Sequence, residues 1–162
     1  MASLNICDGM SVLFDDCDAH LVAAVHWVGA PVGRKTGGYY AIGWCKNLKR
    51  SVYMHRVIAG AQQGQFVDHI NGNTLDNTRG NLRLCSPTQN CGNSRYPVGA
   101  SGYRGVERYN KTEKWRACIS IGGKRVQLGV ADNAEDAARI YDIAAIRHFG
   151  EFATLNFPNM VA

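Results

Sequence analysis

A ten-residue stretch rich in turn formers divides this 162-residue chain into two parts. It reads N-S-R-Y-P-V-G-A-S-G at 93–102 and contains few side chains that could anchor a core. A chain of this length can form one domain or two small ones, and the stretch favours two. We therefore predict a β-rich region at 1–50, a first functional part at 51–94, a linker at 95–102 and a second functional part at 103–158.

The positive charge of the chain is concentrated after this division. The formal net charge is +5, and residues 95–130 carry eight basic side chains against two acidic ones. The last stretch, 131–162, carries two basic and five acidic side chains. A basic surface confined to one segment is typical of a protein that binds nucleic acid.

The sequence also argues against a membrane or secreted protein. No apolar run approaches the roughly 20 residues that cross a bilayer, and the first ten residues lack the pattern of a secretory signal. The six cysteines form no C-x-x-C pair, so a structural zinc site is not predicted. We expect a cytoplasmic protein without a membrane partner.

Short segments of the first half predict its local structure. Residues 38–42 and 51–58 are β-branched or aromatic, and they predict the two strands of a hairpin. Residues 21–28 are apolar with weak periodicity, which leaves helix and strand open. His20, His26 and His148 stand in apolar or helical surroundings, and we expect them to be packing residues.

The most informative stretch, 67–90, predicts a strand, a loop, a returning strand and a helix. Asn71 and Gly72 are a tight-turn signal, and 82–84 can form the returning strand. Ser86 and Pro87 are typical of a helix start. The polar residues that this stretch carries are Asp68, His69, Asn81 and Asn90.

This stretch resembles the HNH endonucleases, whose ββα-metal fold holds such residues at such spacings. His69 precedes Asn81 by twelve residues, and Asn81 precedes Asn90 by nine. The resemblance implies that His69 is the general base and that Asn81 orients it through its loop. It also implies that Asp68 and Asn90 hold one divalent metal, Mg²⁺ or Mn²⁺. The last position is Asn where many relatives have His, as in phage-borne homing and nicking endonucleases.

Phosphodiester hydrolysis suits these residue types. An imidazole with a pKa of about 6.5 can deprotonate water near neutral pH. A hard cation held by carboxylate and amide oxygens can stabilise the charge that develops on the phosphate. The short sequence D-H-I-N-G alone could equally be an ordinary polar turn; the complete set of residues favours the nuclease.

Two further features of the first part leave alternatives open. His55 and Arg56 either line the substrate groove or serve the fold. Arg83 alternates with Leu82 and Leu84, so it either contacts phosphate or is solvated, and we favour solvation.

The second part predicts three strands followed by one helix. Residues 103–109, 115–121 and 124–130 are the strands, and the glycine pair at 122–123 predicts the turn between the last two. Alternation places one set of side chains on a face toward the helix and a second set outward. The inward set is Trp115, Ala117, Ile119, Val126, Leu128 and Val130, and the outward set is Arg116, Ser120, Arg125 and Gln127. Asp132 with Glu135 predicts the helix start, and Gly150 its end.

This part resembles the Apetala/ethylene-response-factor (ERF) DNA-binding domain through Y-R-G-V at 103–106, K-W-R-A at 114–117 and R-V-Q-L-G at 125–129. That family lays a three-stranded sheet in the DNA major groove with a helix packed behind. Glu107, Cys118, Ser120 and Gln127 depart from the plant pattern of Arg, Glu, Arg and Trp, so the plant target sequence is not expected here. Each single lysine is either solvated or in contact with phosphate. The expected DNA contacts are His55, Arg56, Arg104, Arg108, Tyr109, Lys111, Lys114, Arg116, Ser120, Lys124, Arg125 and Gln127.

The beginning of the chain resembles the amino-terminal region of phage proteins that join an HNH nuclease to this binding module. The segments that carry this resemblance are 13–18, 25–27 and 38–41. We expect this region to support the nuclease sheet and to add phosphate contacts through its basic residues. Those residues are Arg34, Lys35, Lys46, Lys49 and Arg50.

The predicted protein is thus an α+β DNA endonuclease of the HNH homing type. We expect it to bind duplex DNA as a monomer and to nick one strand, in the cytoplasm of a bacterium and encoded by a phage. The alternative is a non-catalytic DNA-binding regulator with an inactive HNH remnant. An RNA substrate is disfavoured, because the A-form major groove is too narrow for such a sheet.

Overall fold

A computed structural model gives the coordinates of nearly the whole chain. The described residues are 1–6, 9–32, 38–93, 98–110 and 112–160. The predicted DNA contact Lys111 and the predicted phosphate contacts Arg34 and Lys35 lie outside them. The chain divides into two compact units, Met1–Ser86 and Pro87–Ala162, which we call the amino-terminal unit and the carboxy-terminal unit.

The class is α+β, as the sequence predicts. Within the described residues of the amino-terminal unit, the strands form three small antiparallel sheets, β1–β2, β3–β4–β5 and β6–β7. The elements in order are β1 Ala2–Asn5, β2 Ser11–Phe14, α1 Ala19–Ala23, β3 His26–Pro31, β4 Tyr39–Cys45, β5 Arg50–Tyr53, α2 Met54–Ile58, β6 Phe66–His69 and β7 Leu82–Cys85. Their apolar faces meet in one core, built on Val12, Phe14, Trp27, Met54 and Ile58.

The predicted strand at 51–58 is only half correct. β5 pairs with β4, but the chain turns into helix α2 at Met54. Met54, His55 and Ile58 are 0%, 8% and 2% exposed. A helix places these three positions on one face, whereas a strand would point the neighbouring Met54 and His55 to opposite faces. His55 and Arg56 therefore lie on a helix. The undecided segment 21–28 contains the end of α1 and the start of β3.

The carboxy-terminal unit contains a three-stranded antiparallel sheet and a long helix. Its elements are α3 Pro87–Gly92, β8 Val106–Arg108, β9 Trp115–Ile121, β10 Lys124–Ala131 and α4 Ala134–Phe149. β9 is the central strand. The predicted turn is confirmed, since Gly122 and Gly123 have φ of 58° and 77°, as a tight hairpin turn requires.

Helix α4 packs on the sheet through small side chains. Ala137, Ala138 and Ala145 are fully buried, which allows a close approach of helix to strand. Helix α3 also packs within this unit: a side chain at Gly92 would come within 2.8 Å of Phe149 Cβ and 2.9 Å of the Phe152 carbonyl oxygen. The compact units thus divide before α3; the linker at 95–102 stays a prediction.

Two details of the sheet and helix differ from the predicted pattern. A bulge lies between Gln127 and Gly129, so Gly129 pairs with Ala117 and faces Ile140 of α4, while Val130 pairs with Arg116. The simple alternation therefore ends at the bulge, because one extra residue exchanges the two faces. Helix α4 is capped by Asn133, which accepts a hydrogen bond from the Asp136 amide at 2.8 Å.

The predicted cap, Asp132, instead pairs with Lys114 at 3.1 Å. The predicted helix end at Gly150 is confirmed, with a φ of 55°.

The expectation that His20, His26 and His148 are packing residues is wrong: all three are exposed, since each lies on the side of its element that faces away from the core. Within the described part of the chain, no helix combines the length and the apolar character that a membrane span requires.

Candidate active site and basic surface

The candidate active site lies at the end of β6, where Asp68 and His69 follow each other. Both residues are buried, with 6% and 5% of their surface exposed. β6 pairs with β7 so that Asp68 stands opposite Arg83 and His69 opposite Leu82. The loop between these strands begins and ends beside His69, because the Ile70 amide donates a hydrogen bond to the Asn81 carbonyl at 2.9 Å.

Asn81 ties the two halves of this loop together. Its Oδ1 accepts a hydrogen bond from the Asn71 amide at 2.9 Å, and its Nδ2 donates to the Asp76 carbonyl at 2.7 Å. Asn81 is 7% exposed. These contacts hold the loop that begins immediately after His69. This geometry suits the predicted role of Asn81, which is to orient His69 through the loop. The role itself stays a prediction.

The amino-terminal region holds the other side of the same loop. The Leu13 amide donates to the Leu75 carbonyl at 2.9 Å, and the Asn77 amide donates to the Leu13 carbonyl at 2.8 Å. The Arg79 guanidinium donates to both carboxylate oxygens of Asp18, at 2.9 and 2.6 Å, and Asp18 is 1% exposed. Strand β2 and the turn after it therefore brace the loop that carries Asn77 and Asn81.

Asn77 contacts the imidazole directly, and sequence reasoning missed it. Its Oδ1 lies 3.3 Å from His69 Nε2, and the residue is fully buried. When the neutral ring donates from Nε2 to this oxygen, the lone pair resides on Nδ1, which becomes the basic nitrogen. Asn77 lies among several polar loop residues, and no local pattern distinguishes it from them. Its importance comes from the long-range contact with Leu13.

A cluster of aromatic rings surrounds His69. The His55 ring lies 5.1 Å from the His69 ring, edge to face, and Tyr40 lies 5.1 Å from His55 and 6.1 Å from His69. Tyr53 stacks on His55 at 5.5 Å. In the described part of the chain, His55 Nδ1 and Asn77 Nδ2 are buried side-chain atoms without a hydrogen-bond partner. Both flank His69.

The surroundings keep both histidines neutral. Burial lowers the pKa of His69 below its usual value, while the hydrogen bond to Asn77 Oδ1 and the charge of Asp68 act in the opposite direction. Burial, and then the nearby His69 and Arg56, lowers the pKa of His55 to about 3. At neutral pH the His69 ring is therefore available as a base.

Arg83 is not solvated, contrary to our expectation. Its Nε and Nη2 donate to Asp68 Oδ2 at 2.9 and 2.8 Å, and its side chain is only 16% exposed. The reason is the register of β6 and β7, which places the two residues directly opposite each other on one face. The guanidinium fixes the orientation of the Asp68 carboxylate beside His69.

The residues predicted to hold a metal are oxygen donors, which suits a hard cation and not zinc. Asp68 supplies a carboxylate in the amino-terminal unit, and Asn90 lies on α3 of the carboxy-terminal unit, partly buried. Among the described residues, no group of three or more His, Cys, Asp and Glu side chains could hold a metal. The donor set fits Mg²⁺ or Mn²⁺ chemically; joint coordination by Asp68 and Asn90 stays a prediction.

The second candidate surface is the outer side of the sheet β8–β9–β10, opposite helix α4. The register places Arg125 opposite Ser120, and Gln127 opposite Cys118. Arg116 shares this side, since it alternates with the buried Ala117. The outward set Arg116, Ser120, Arg125 and Gln127 is thus brought together on one surface.

The outer face also contains an acid, Glu107. Its carboxylate accepts hydrogen bonds from the guanidinium groups of Arg116 and Arg125. It stands opposite Arg116 in the register of β8 and β9.

Several other predicted contacts are engaged within their own unit. Arg104 donates to the Tyr141 hydroxyl at 2.7 Å and turns inward, because that buried hydroxyl requires a partner. This geometry does not present Arg104 on the outer face. Arg56 donates to the carbonyls of Gln65 and Gln62 at 2.6 and 2.9 Å, which favours the fold-supporting alternative.

The remaining predicted contacts are divided between the two units. Arg108 stacks over Trp115 at 4.3 Å and pairs with Glu113, and Lys114 pairs with Asp132. Further residues with predicted contacts are exposed or partly buried, namely Lys124, Tyr109, Lys46, Lys49 and Arg50. His55 is 8% exposed and belongs to the ring cluster beside His69.

Comparison with known proteins gives two groups of relatives. A family model described as HNH endonuclease matches residues 52–91. An uncharacterized HNH endonuclease of Acanthamoeba polyphaga mimivirus is 33% identical over 109 residues, which is 67% of this chain and 56% of that protein. Protein 3.8 of Escherichia phage T7 is 35% identical over 92 residues, which is 56% of this chain and 75% of that protein.

The second group matches the carboxy-terminal portion. APETALA2-like protein 2 of Oryza sativa subsp. indica is 48% identical over 58 residues, which is 36% of this chain and 13% of that protein. The match with the mimivirus protein likewise spans only about half of that relative's length. The family-model match contains β6, the braced loop and β7, with Asp68, His69 and Asn81. The chain belongs to the HNH endonuclease family.

Proposed function

We propose that this protein is a metal-dependent endonuclease of the homing type that hydrolyses one strand of duplex DNA. The observation that carries the proposal is the neutral His69 imidazole, held at Nε2 by Asn77 and lying next to the fixed carboxylate of Asp68. A neutral imidazole that lies beside a carboxylate is suited to accept a proton from water.

The proposed reaction uses His69 Nδ1 as the general base. A water molecule gives its proton to Nδ1 as its oxygen forms a bond to phosphorus, and the bond from phosphorus to the departing oxygen breaks. The departing oxygen takes a proton from solvent, and His69 returns its own proton to solvent. Asn77 and the ring cluster keep the imidazole in one orientation throughout, which preserves the reacting geometry.

Asp68 and Asn90 would hold one divalent metal, Mg²⁺ or Mn²⁺. When bound, the metal would stabilise negative charge on the phosphate and on the departing oxygen. Arg83 orients Asp68 for this task and shares its carboxylate. One carboxylate and one amide make a weak set of ligands, so we expect firm binding only when a DNA phosphate completes it.

The carboxy-terminal unit would bind the duplex through the outer face of β8–β9–β10. Support comes from the outward basic side chains Arg116 and Arg125, from the apolar side covered by α4, and from the similarity to APETALA2-like protein 2. Its role would be to raise the local concentration of DNA at the weak catalytic part. One active site per monomer would produce a nick. The phage relative supports action in the cytoplasm of a bacterial host.

Incubation of supercoiled plasmid with the full chain, with and without Mg²⁺, tests this proposal. We expect relaxed circles only when Mg²⁺ is present, together with a gel shift of duplex DNA in its absence. A gel shift without cleavage under Mg²⁺ or Mn²⁺ would instead identify a non-catalytic DNA-binding regulator. Cleavage of an RNA hairpin in preference to the plasmid would overturn the duplex-DNA assignment.

A further inference from the structure

Glu107 links the three strands of the outer face. It lies on the edge strand β8, while Arg116 lies on the central strand β9 and Arg125 on the opposite edge strand β10. Oε1 accepts from Arg116 and Oε2 from Arg125, each at 2.5 Å. Each carboxylate oxygen is thus committed to a different arginine.

The charges of this triad do not cancel. Two guanidinium groups and one carboxylate leave a net charge of +1 on the outer face, and a third of the Glu107 side chain is exposed. Each guanidinium has five N–H donors. The bonds to Glu107 use Nε and Nη2 of Arg116 and Nη2 of Arg125, so each arginine retains further donors for a ligand.

An arginine held in this way differs from a mobile one in what it can recognise. A mobile arginine follows any phosphate and adds affinity that does not depend on sequence. A guanidinium held in position matches the paired acceptors of a guanine edge. A carboxylate between two such groups also repels phosphate, which lowers binding to random DNA more than binding to a matched site.

We propose that Glu107 is a specificity-determining residue of this surface. It orients Arg116 and Arg125 toward base edges and weakens their sequence-independent attraction to phosphate. This inference rests on the proposed function, because it requires the outer face to bind duplex DNA. It concerns the discrimination between sequences and leaves the chemistry at His69 unchanged.

The test compares the full wild-type chain with Glu107→Gln, which keeps the side-chain shape and removes the charge. The matched control is Glu135→Gln, which breaks an ion pair with Arg139 of the same kind and changes the net charge equally. Glu135 lies on α4, on the other side of the sheet. Thermal melting verifies that both variants are folded.

The first readout is affinity for a random-sequence duplex at several salt concentrations. We expect Glu107→Gln to bind it roughly three- to tenfold more tightly, with the slope of log K against log salt steeper by about 0.9 for each added phosphate contact. The second readout is selection from a pool of randomised duplexes. Wild type should enrich a sequence motif, and Glu107→Gln should enrich a weaker one.

The outcomes separate this inference from the proposed function. If wild type binds duplex DNA and Glu107→Gln matches Glu135→Gln in both readouts, the inference is wrong and the proposed function stands. If Glu107→Gln binds random DNA more weakly, the inference is equally overturned. If wild type does not bind duplex DNA at all, the proposed function itself fails.

Discussion

The buried, neutral His55 makes the stability of the protein depend on pH. Its pKa is lowered from 6.5 to about 3 in the folded protein, mainly by burial. Below pH 6.5 the unfolded chain takes up a proton that folded His55 does not, so acid favours unfolding. The contribution of His55 is complete above pH 6.5 and is lost as the pH falls toward 3.

The size of this effect follows from the two pKa values. Between pH 7 and pH 5, protonation of the unfolded chain at this one site lowers the free energy of unfolding by about 2 kcal/mol. At pH 5 the result hardly depends on the exact folded value, since any folded pKa below about 4 gives nearly the same loss.

Urea unfolding of wild type and His55→Phe at pH 7 and pH 5 measures this loss of unfolding free energy. Phenylalanine keeps a ring against Tyr40, Tyr53 and His69 but cannot take up a proton. The pKa of His69 is also lowered, and its contribution occurs in both proteins. We expect wild type to lose about 2 kcal/mol more than His55→Phe between the two pH values. Equal losses in the two proteins would refute the reasoning.

Two further predictions concern packing and charge. Arg83→Met should lower the free energy of unfolding by about 3 kcal/mol, because it removes the cation that pairs with the buried Asp68 carboxylate. Urea unfolding measures this loss, and an unchanged unfolding midpoint would contradict the prediction. Gly92→Ala should destabilise the carboxy-terminal unit by about 1–3 kcal/mol, because the added methyl group overlaps Phe149. The matched control is Gly99→Ala, where nothing lies within 4 Å, and equal melting temperatures of the two variants would rule out the overlap.

Local sequence pattern was sufficient to predict part of the structure around the candidate site. The Asn71–Gly72 turn signal and the apolar segments on either side of it predicted a strand, a loop and a returning strand, and β6 and β7 pair there. The glycine pair at 122–123 and the alternation in β9 predicted the sheet of the second unit in the same way. Such features depend on neighbours a few residues apart, which the sequence displays directly.

Features that depend on distant parts of the chain were not predictable in this way. The Asn77 contact with His69 requires β2 to brace the loop through Leu13, more than sixty residues away in sequence. The pairing of Arg83 with Asp68 depends on strand register. Helix α2 forms where a strand pattern continues, because only a helix buries Met54, His55 and Ile58 on one face, and this burial outweighs local β preference.

The bulge after Gln127 reverses the faces of β10. After the bulge, Gly129 faces Ile140 of α4, and Val130 pairs with Arg116 on the outer face. Alternation alone cannot reveal an inserted residue of this kind.

The most direct test of the central claim is the nicking rate of His69→Ala under Mg²⁺, measured beside duplex binding. The control is His20→Ala, which removes an exposed histidine outside the ring cluster. The account predicts that His69→Ala binds duplex DNA as wild type does but nicks plasmid at least about 100-fold more slowly, the lower end of the range for a lost general base. Nicking by His69→Ala at the rate of His20→Ala would contradict the claim that His69 draws the proton from water.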